Sequence, residues 1–189
     1  MAVYDEIAHV SVRMERNFKE ECVYNVIAEG GIKVGKDDHK FVNTRFVSPQ
    51  DLNSKSTLFG GTVLAWFDSD AAAFAYECVK EDCIFTTISV FGFNFKKPVM
   101  SGARIRGTMR LAHNSVSTIT IKGVYEVFEN GWIICAEGYC ALCCIEKEGK
   151  PTLLPELVVQ PEKNTPEWEF VEKYKKITIL KRKGKIHET

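Results

Sequence analysis

Apolar residues crowd one stretch of this chain more densely than any other. From Leu58 to Lys80, large apolar side chains fall at Val63, Leu64, Trp66, Phe67, Phe74 and Tyr76, between Ala65, Ala71, Ala72, Ala73 and Ala75. The spacing predicts a long helix with no polar face, and a helix that is apolar all round is a buried one. Such a helix needs something wrapped around it. The sequence that follows offers strands. Cys83–Phe95 is rich in Thr, Val, Ile and Phe and stops at Lys96-Lys97-Pro98. Arg104–Leu111 alternates, with Ile105, Gly107, Met109 and Leu111 on one face. Ser115–Phe128 and Trp132–Glu146 flank Glu129-Asn130-Gly131, a hairpin turn signal. A further short strand is expected over Lys40–Val47, broken by Ser48-Pro49-Gln50-Asp51. The order is strand, buried helix, then several long antiparallel strands, which makes the fold class α+β: an antiparallel sheet wrapped around one long central helix.

The ends of the chain read differently. In residues 1–39, Val10, Val12 and Met14 alternate with Ser11 and Arg13, and Gly30-Gly31, Gly35 and Asp37-Asp38 read as turns. This segment is an N-terminal extension to a core over residues 40–160. Over 161–189, Thr165-Pro166-Glu167 starts a last helix, with Thr as cap and Pro at the first helical position, and a basic tail follows.

Charge narrows the possible partners. Lys plus Arg and Asp plus Glu are both 25, for a formal net charge of zero. That argues against nucleic acid, whose binding is driven largely by a positive field. No apolar run is long enough to span a bilayer, and Met-Ala-Val-Tyr-Asp-Glu lacks the basic then apolar segments expected of a signal peptide. With seven cysteines, an odd number, the expectation is a reduced, cytoplasmic protein.

The chemistry gathers at residues 53–68. A polar loop ends at Gly60-Gly61, and Asp68 lies within the apolar run that follows. Paired glycines at the head of a helix offer bare backbone N–H groups to a developing oxyanion. A carboxylate on the same helix can serve as base or nucleophile, so the combination points to acyl transfer. The neighbours Ala65, Phe67, Ala71 and Ala72 imply that Asp68 is buried. Asp70, two residues on, faces about 200° away and reads as a structural or interface acid.

These residues carry a resemblance. Pro49-x-Asp51-x-Asn53-x-x-x-Thr57-Leu58-Phe59-Gly60-Gly61, then Asp68, then Thr86-Thr87-Ile88-Ser89-Val90, Phe95-x-Lys97-Pro98-Val99-x-x-Gly102 and Glu148-Gly149-Lys150-Pro151 with Leu154-Pro155 resemble, in order, the blocks of the hot-dog-fold acyl-CoA thioesterases. The match runs from about Phe41 to Glu172. The resemblance implies a hot-dog fold, hydrolysis of acyl-CoA to CoA and a carboxylate, and a homodimer, commonly assembled as a trimer of dimers. It places the catalytic residues at Asn53 and Asp68 and the oxyanion donor at the backbone of Gly60 or Gly61. Contacts to CoA are expected from Lys97 and from His113, Asn114, Ser115 and Ser117. Coenzyme A enters as part of the substrate, and no other cofactor is implied. Two positions depart from the family pattern: Phe91 stands where many members have an acid, and His113-Asn114-Ser115-Val116-Ser117 replaces a Gly-x-Ser-Ser-Met hairpin.

Other readings are weaker on chemical grounds. Cys140 and Cys143 are three apart in a strand, so they point to opposite faces, and no His completes a metal site. A hot-dog dehydratase would pair a His with the helix acid, and no His precedes Gly60 within the matching block. A non-enzymatic acyl-CoA-binding regulator would carry a DNA-binding segment, and no helix-turn-helix pattern is visible.

Overall fold

The computed structural model describes residues 39–182. Five strands and two α-helices follow in the order β1 (Lys40–Phe46), α1 (Gly60–Glu77), β2 (Ile84–Phe95), β3 (Arg104–Asn114), β4 (Thr118–Phe128), β5 (Trp132–Ile145) and α2 (Pro166–Arg182). The strands form one antiparallel sheet in the order β1-β3-β4-β5-β2. Strands β1 and β2 are thus the two edges, and α1, which links them, crosses the inner face of the sheet. The strand suggested around Val10–Met14 lies outside the described residues.

Strand alternation builds the core. Ile119, Ile121, Tyr125 and Val127 of β4 point inward and are fully or nearly fully buried. They meet Val63, Phe67, Ala71, Phe74 and Ala75 of α1. The helix comes so close that a Cβ on Gly123 would lie 2.3 Å from the ring of Phe67. Glycine is required there because nothing larger fits between ring and strand.

The sheet covers only one side of α1. Ala65, Asp68, Ser69, Ala73 and Tyr76 form a continuous exposed face. This corrects the expectation of a helix wrapped on all sides and of a buried Asp68. Beside that face, edge strand β2 leaves Ile84 42%, Ile88 56% and Val90 39% exposed. Apolar residues on an unpaired edge are an association surface unless something covers them.

The outer face of the sheet carries α2. Thr165 caps it, its Oγ1 accepting from the Trp168 amide at 3.2 Å, with Pro166 in the first turn. Val171 is fully buried against Phe91 and Ala141. Tyr174 stacks on Phe91 with ring centroids 3.9 Å apart. A bulge between Leu111 and His113 turns His113 to this outer face. Its ring is 2% exposed and stacks on Trp168 at 3.9 Å. Among the described residues no helix is long and apolar enough to cross a membrane.

Candidate active site

The loop before α1 is held by its own polar groups. The Asp51 carboxylate accepts from the Ser48 amide at 2.8 Å and its hydroxyl at 2.6 Å. The Asp51 carbonyl accepts from the Phe59 amide at 2.8 Å. Asn53 closes the tip: its Oδ1 accepts from the amides of Lys55 at 2.8 Å and Thr57 at 3.3 Å. Its Nδ2 donates to Thr57 Oγ1 at 3.0 Å. A primary amide has two N–H donors. The second meets no acceptor among the described residues and is free for a ligand.

Phe59 is the helix N-cap and provides no side-chain cap. The amides of Thr62 and Val63 turn back to the Phe59 carbonyl, whereas those of Gly60 and Gly61 meet no backbone acceptor. Orphan N–H groups at the positive end of a helix dipole suit an anion. Two phenylalanine rings flank them. A Cβ on Gly60 would lie 3.0 Å from the tip of Phe95, and one on Gly61 would lie 2.5 Å from Phe59.

Asp68 lies two turns further along. Its Oδ1 accepts from Thr87 Oγ1 of β2 at 2.6 Å. That hydroxyl ties the carboxylate to the sheet, while Asp68 itself remains exposed. Thr87 had no role in the sequence reading. It could have been found by alternation: it shares the inward face of β2 with Phe85, a polar residue on an apolar side. Cys140 lies near this pair, and burial above all, with the Asp68 charge, pushes its thiol up to about 12. It stays a neutral thiol, unsuited to act as a nucleophile. Cys140 is core and Cys143 faces the other way, pairing with Thr86.

Asp70 faces into the core at 2% exposure. It accepts from Arg45 Nη2 at 2.6 Å and Nη1 at 2.8 Å, from the Tyr125 hydroxyl at 2.7 Å and from Asn43 Nδ2 at 3.0 Å. Burial first, then the Asp70 charge, push Tyr125 well above the ordinary tyrosine range, which keeps it a phenol donor. Asp70 is fully engaged and turned away from Asp68.

The expected CoA contacts are not brought together in one protomer. Lys97 lies before β3 and pairs with Glu129 at 2.7 Å. Asn114, Ser115 and Ser117 lie at the far end of β3, roughly 35 Å away along an eleven-residue strand. There Ser115 and Thr118 hydroxyls share a bond at 2.5 Å. His113 is withdrawn from the ligand contacts, because both ring nitrogens are occupied under α2. Nε2 meets Glu172 at 2.5 Å and Nδ1 meets Lys175 at 3.0 Å. Phe91, the other departure from the family pattern, is likewise explained by α2, which covers it. Among the described residues no group of three potential ligands could hold a metal.

A single helix lying across the concave side of a five-stranded antiparallel sheet, with a glycine-headed N-terminus, is the hot-dog arrangement. Residues 55–141 match the thioesterase superfamily profile. No curated protein sequence matches the chain. Among solved structures it is similar to an acyl-CoA hydrolase from Staphylococcus aureus, crystallised with butyryl coenzyme A and coenzyme A. The identity is 25%, the TM-score 0.66, and the match covers 79% of this chain and 94% of that one. A hexameric thioesterase from Yersinia pestis is 26% identical, with a TM-score of 0.57 over 60% of this chain and 93% of that one. A hexameric acyl-CoA thioesterase shares the fold at 23% identity and a TM-score of 0.62, covering 77% of this chain and 92% of that one. The staphylococcal enzyme has also been crystallised as separate Asn-to-Ala, Asp-to-Ala and Thr-to-Ala variants.

Proposed function

We propose that this protein hydrolyses acyl-CoA thioesters to free CoA and a carboxylic acid, in a site shared by two protomers of a homodimer. One observation carries the reading: Asp68, held by Thr87, stands on an exposed apolar helix face fifteen residues after Asn53. The Asn and Asp replaced in the staphylococcal acyl-CoA hydrolase have the same spacing, and a Thr follows there too.

Helix geometry supports the shared site. Gly60 and Asp68 are eight residues apart in α1, about 12 Å at ~1.5 Å per residue. A donor and a base acting on one thioester must each lie within hydrogen-bond reach of it or one water away. One helix cannot supply both. A second copy laid on the exposed face of α1 and the open edge of β2 covers the apolar surface and takes Asp68 out of bulk water. It also brings Asp68 to the partner copy's helix N-terminus and loop.

The chemistry follows from these positions. Asp68 draws a proton from water, which attacks the thioester carbonyl carbon, or it attacks that carbon itself and water then cleaves the anhydride. In either route the Gly60 or Gly61 amide stabilises the oxyanion, and the C–S bond breaks as the CoA thiolate leaves. The free N–H of Asn53 orients the water or the carbonyl. Among the described residues neither His serves the dehydratase alternative: His39 packs on Phe74 at 5.4 Å and His113 is on the opposite face of the sheet. A panel of acyl-CoAs from acetyl to palmitoyl, assayed for free thiol, tests the reading. Release that is lost in a folded Asp68→Asn variant supports it. No release from any ester leaves the binding-only regulator in its place.

A further inference from the structure

The N-terminus of α1 opens onto a cavity of about 420 Å³ between the helix and the connection from β2 to β3. Gly60 is on its wall, and Leu58, Val63, Phe95, Val99 and Cys135 supply apolar surface. Its volume falls in the ordinary range for small-molecule sites. The two lysines that border it, Lys96 and Lys97, are held by Glu137 at 2.5 Å and Glu129 at 2.7 Å. The one polar side chain in the apolar lining is Cys135. Its thiol donates to the Tyr125 carbonyl at 3.3 Å and burial pushes it up to about 11, so it is neutral. Beyond the Gly60 amide at its mouth and the two paired lysines at its border, the lining is apolar.

Phe95 is the unusual member of this lining. It ends edge strand β2 and is 56% exposed, yet its ring tip touches Gly60. Phe93 supports one side at 5.1 Å, edge on. A large apolar ring that is half in solvent and closes against Gly60 at the cavity wall is placed to contact whatever binds there.

We propose that this cavity receives the acyl chain and that Phe95 is the specificity-determining residue, admitting slim chains and excluding bulky ones. The inference rests on the hydrolase reading above and adds a substrate class to it: esters of unbranched apolar acids. A single methylene in an apolar pocket changes specificity by about 10-fold to 200-fold, so removing or enlarging a ring should exceed the lower figure.

The test uses the full-length protein with butanoyl-CoA and phenylacetyl-CoA, reading the ratio of kcat/KM for the bulky over the slim ester by thiol release. Phe95→Ala should raise that ratio at least about tenfold and Phe95→Trp should lower it by a similar factor. Because the side chain is largely exposed, both variants should keep the fold, which a thermal melt checks. Any other pattern in folded variants overturns the proposal and leaves the hydrolase reading standing. No thiol release by the wild type from either ester overturns both.

Discussion

Replacing Asp70 with Ala should destabilise the protein strongly, on the face of α1 turned away from Asp68. The side chain is 3% exposed and Arg45 is 23% exposed. The substitution removes one carboxylate and leaves the Arg45 guanidinium, the Tyr125 hydroxyl and an Asn43 N–H without their acceptor. Breaking a buried ion pair from one side costs about 3–5 kcal/mol. The residual exposure of Arg45 lets water offset part of this, which places the expectation at about 3–4 kcal/mol. For a chain of this size that corresponds to a drop in Tm of roughly 6–16 °C, at about 2–4 °C per kcal/mol. Urea melts followed by tryptophan fluorescence, at one protein concentration, measure it. Adding Arg45→Met should recover about 1–2 kcal/mol, since the stranded charge is removed. A loss below about 1 kcal/mol for Asp70→Ala would refute the claim that this network holds β1 to α1.

Other expectations follow from the same geometry. Asp68→Asn should cut turnover by at least ~100-fold with an unchanged melt, the loss typical of a removed general base. Near-normal turnover would take Asp68 out of the mechanism. Burial first, then Lys175, lower the pKa of His113 against the opposing pull of Glu172. The folded state therefore favours neutral His113. The stability this contributes is present above the ordinary histidine value of about 6.5 and is lost as pH falls through the lower folded value. Urea midpoints should drop more between pH 7.5 and 5.5 in the wild type than in His113→Gln, and equal drops would contradict that role. Dialysis against a chelator should leave thiol release unchanged, whereas loss restored by zinc would contradict the reading of Cys140 and Cys143 as core thiols.

The elements were legible because long runs with a clear period dominate this chain. The helix expected over Leu58–Lys80 is α1 at Gly60–Glu77, and the hairpin at Glu129-Asn130-Gly131 is real, with Asn130 at φ 55°. The misreading of Asp68 has a physical cause. Apolar residues on every face of α1 say that the helix is buried, but not by which chain. Within one protomer the sheet covers Phe67 and Phe74 and leaves Ala65, Ala73 and Tyr76 open. Periodicity cannot separate a core contact from an association surface. The Asp70 network was invisible for another reason: Arg45 is 25 residues away on β1 and meets the helix only after the sheet forms. The same holds for His113, which a bulge and a helix 59 residues downstream turn from a hairpin polar residue into a buried one. The places of Gly60 and Gly61 at the head of α1 and of Asn53 in the loop before it were legible because they depend on local sequence alone.

Subunit complementation tests the central claim most directly. Asn53→Ala and Asp68→Asn homomers should each be inactive. Unfolded together and refolded, about half of the dimers should be mixed, and each mixed dimer regains one intact site of two. Thiol release should then return to about a quarter of the wild-type value. A mixture as inactive as its parents, with mixed dimers demonstrated, would contradict a site shared between protomers.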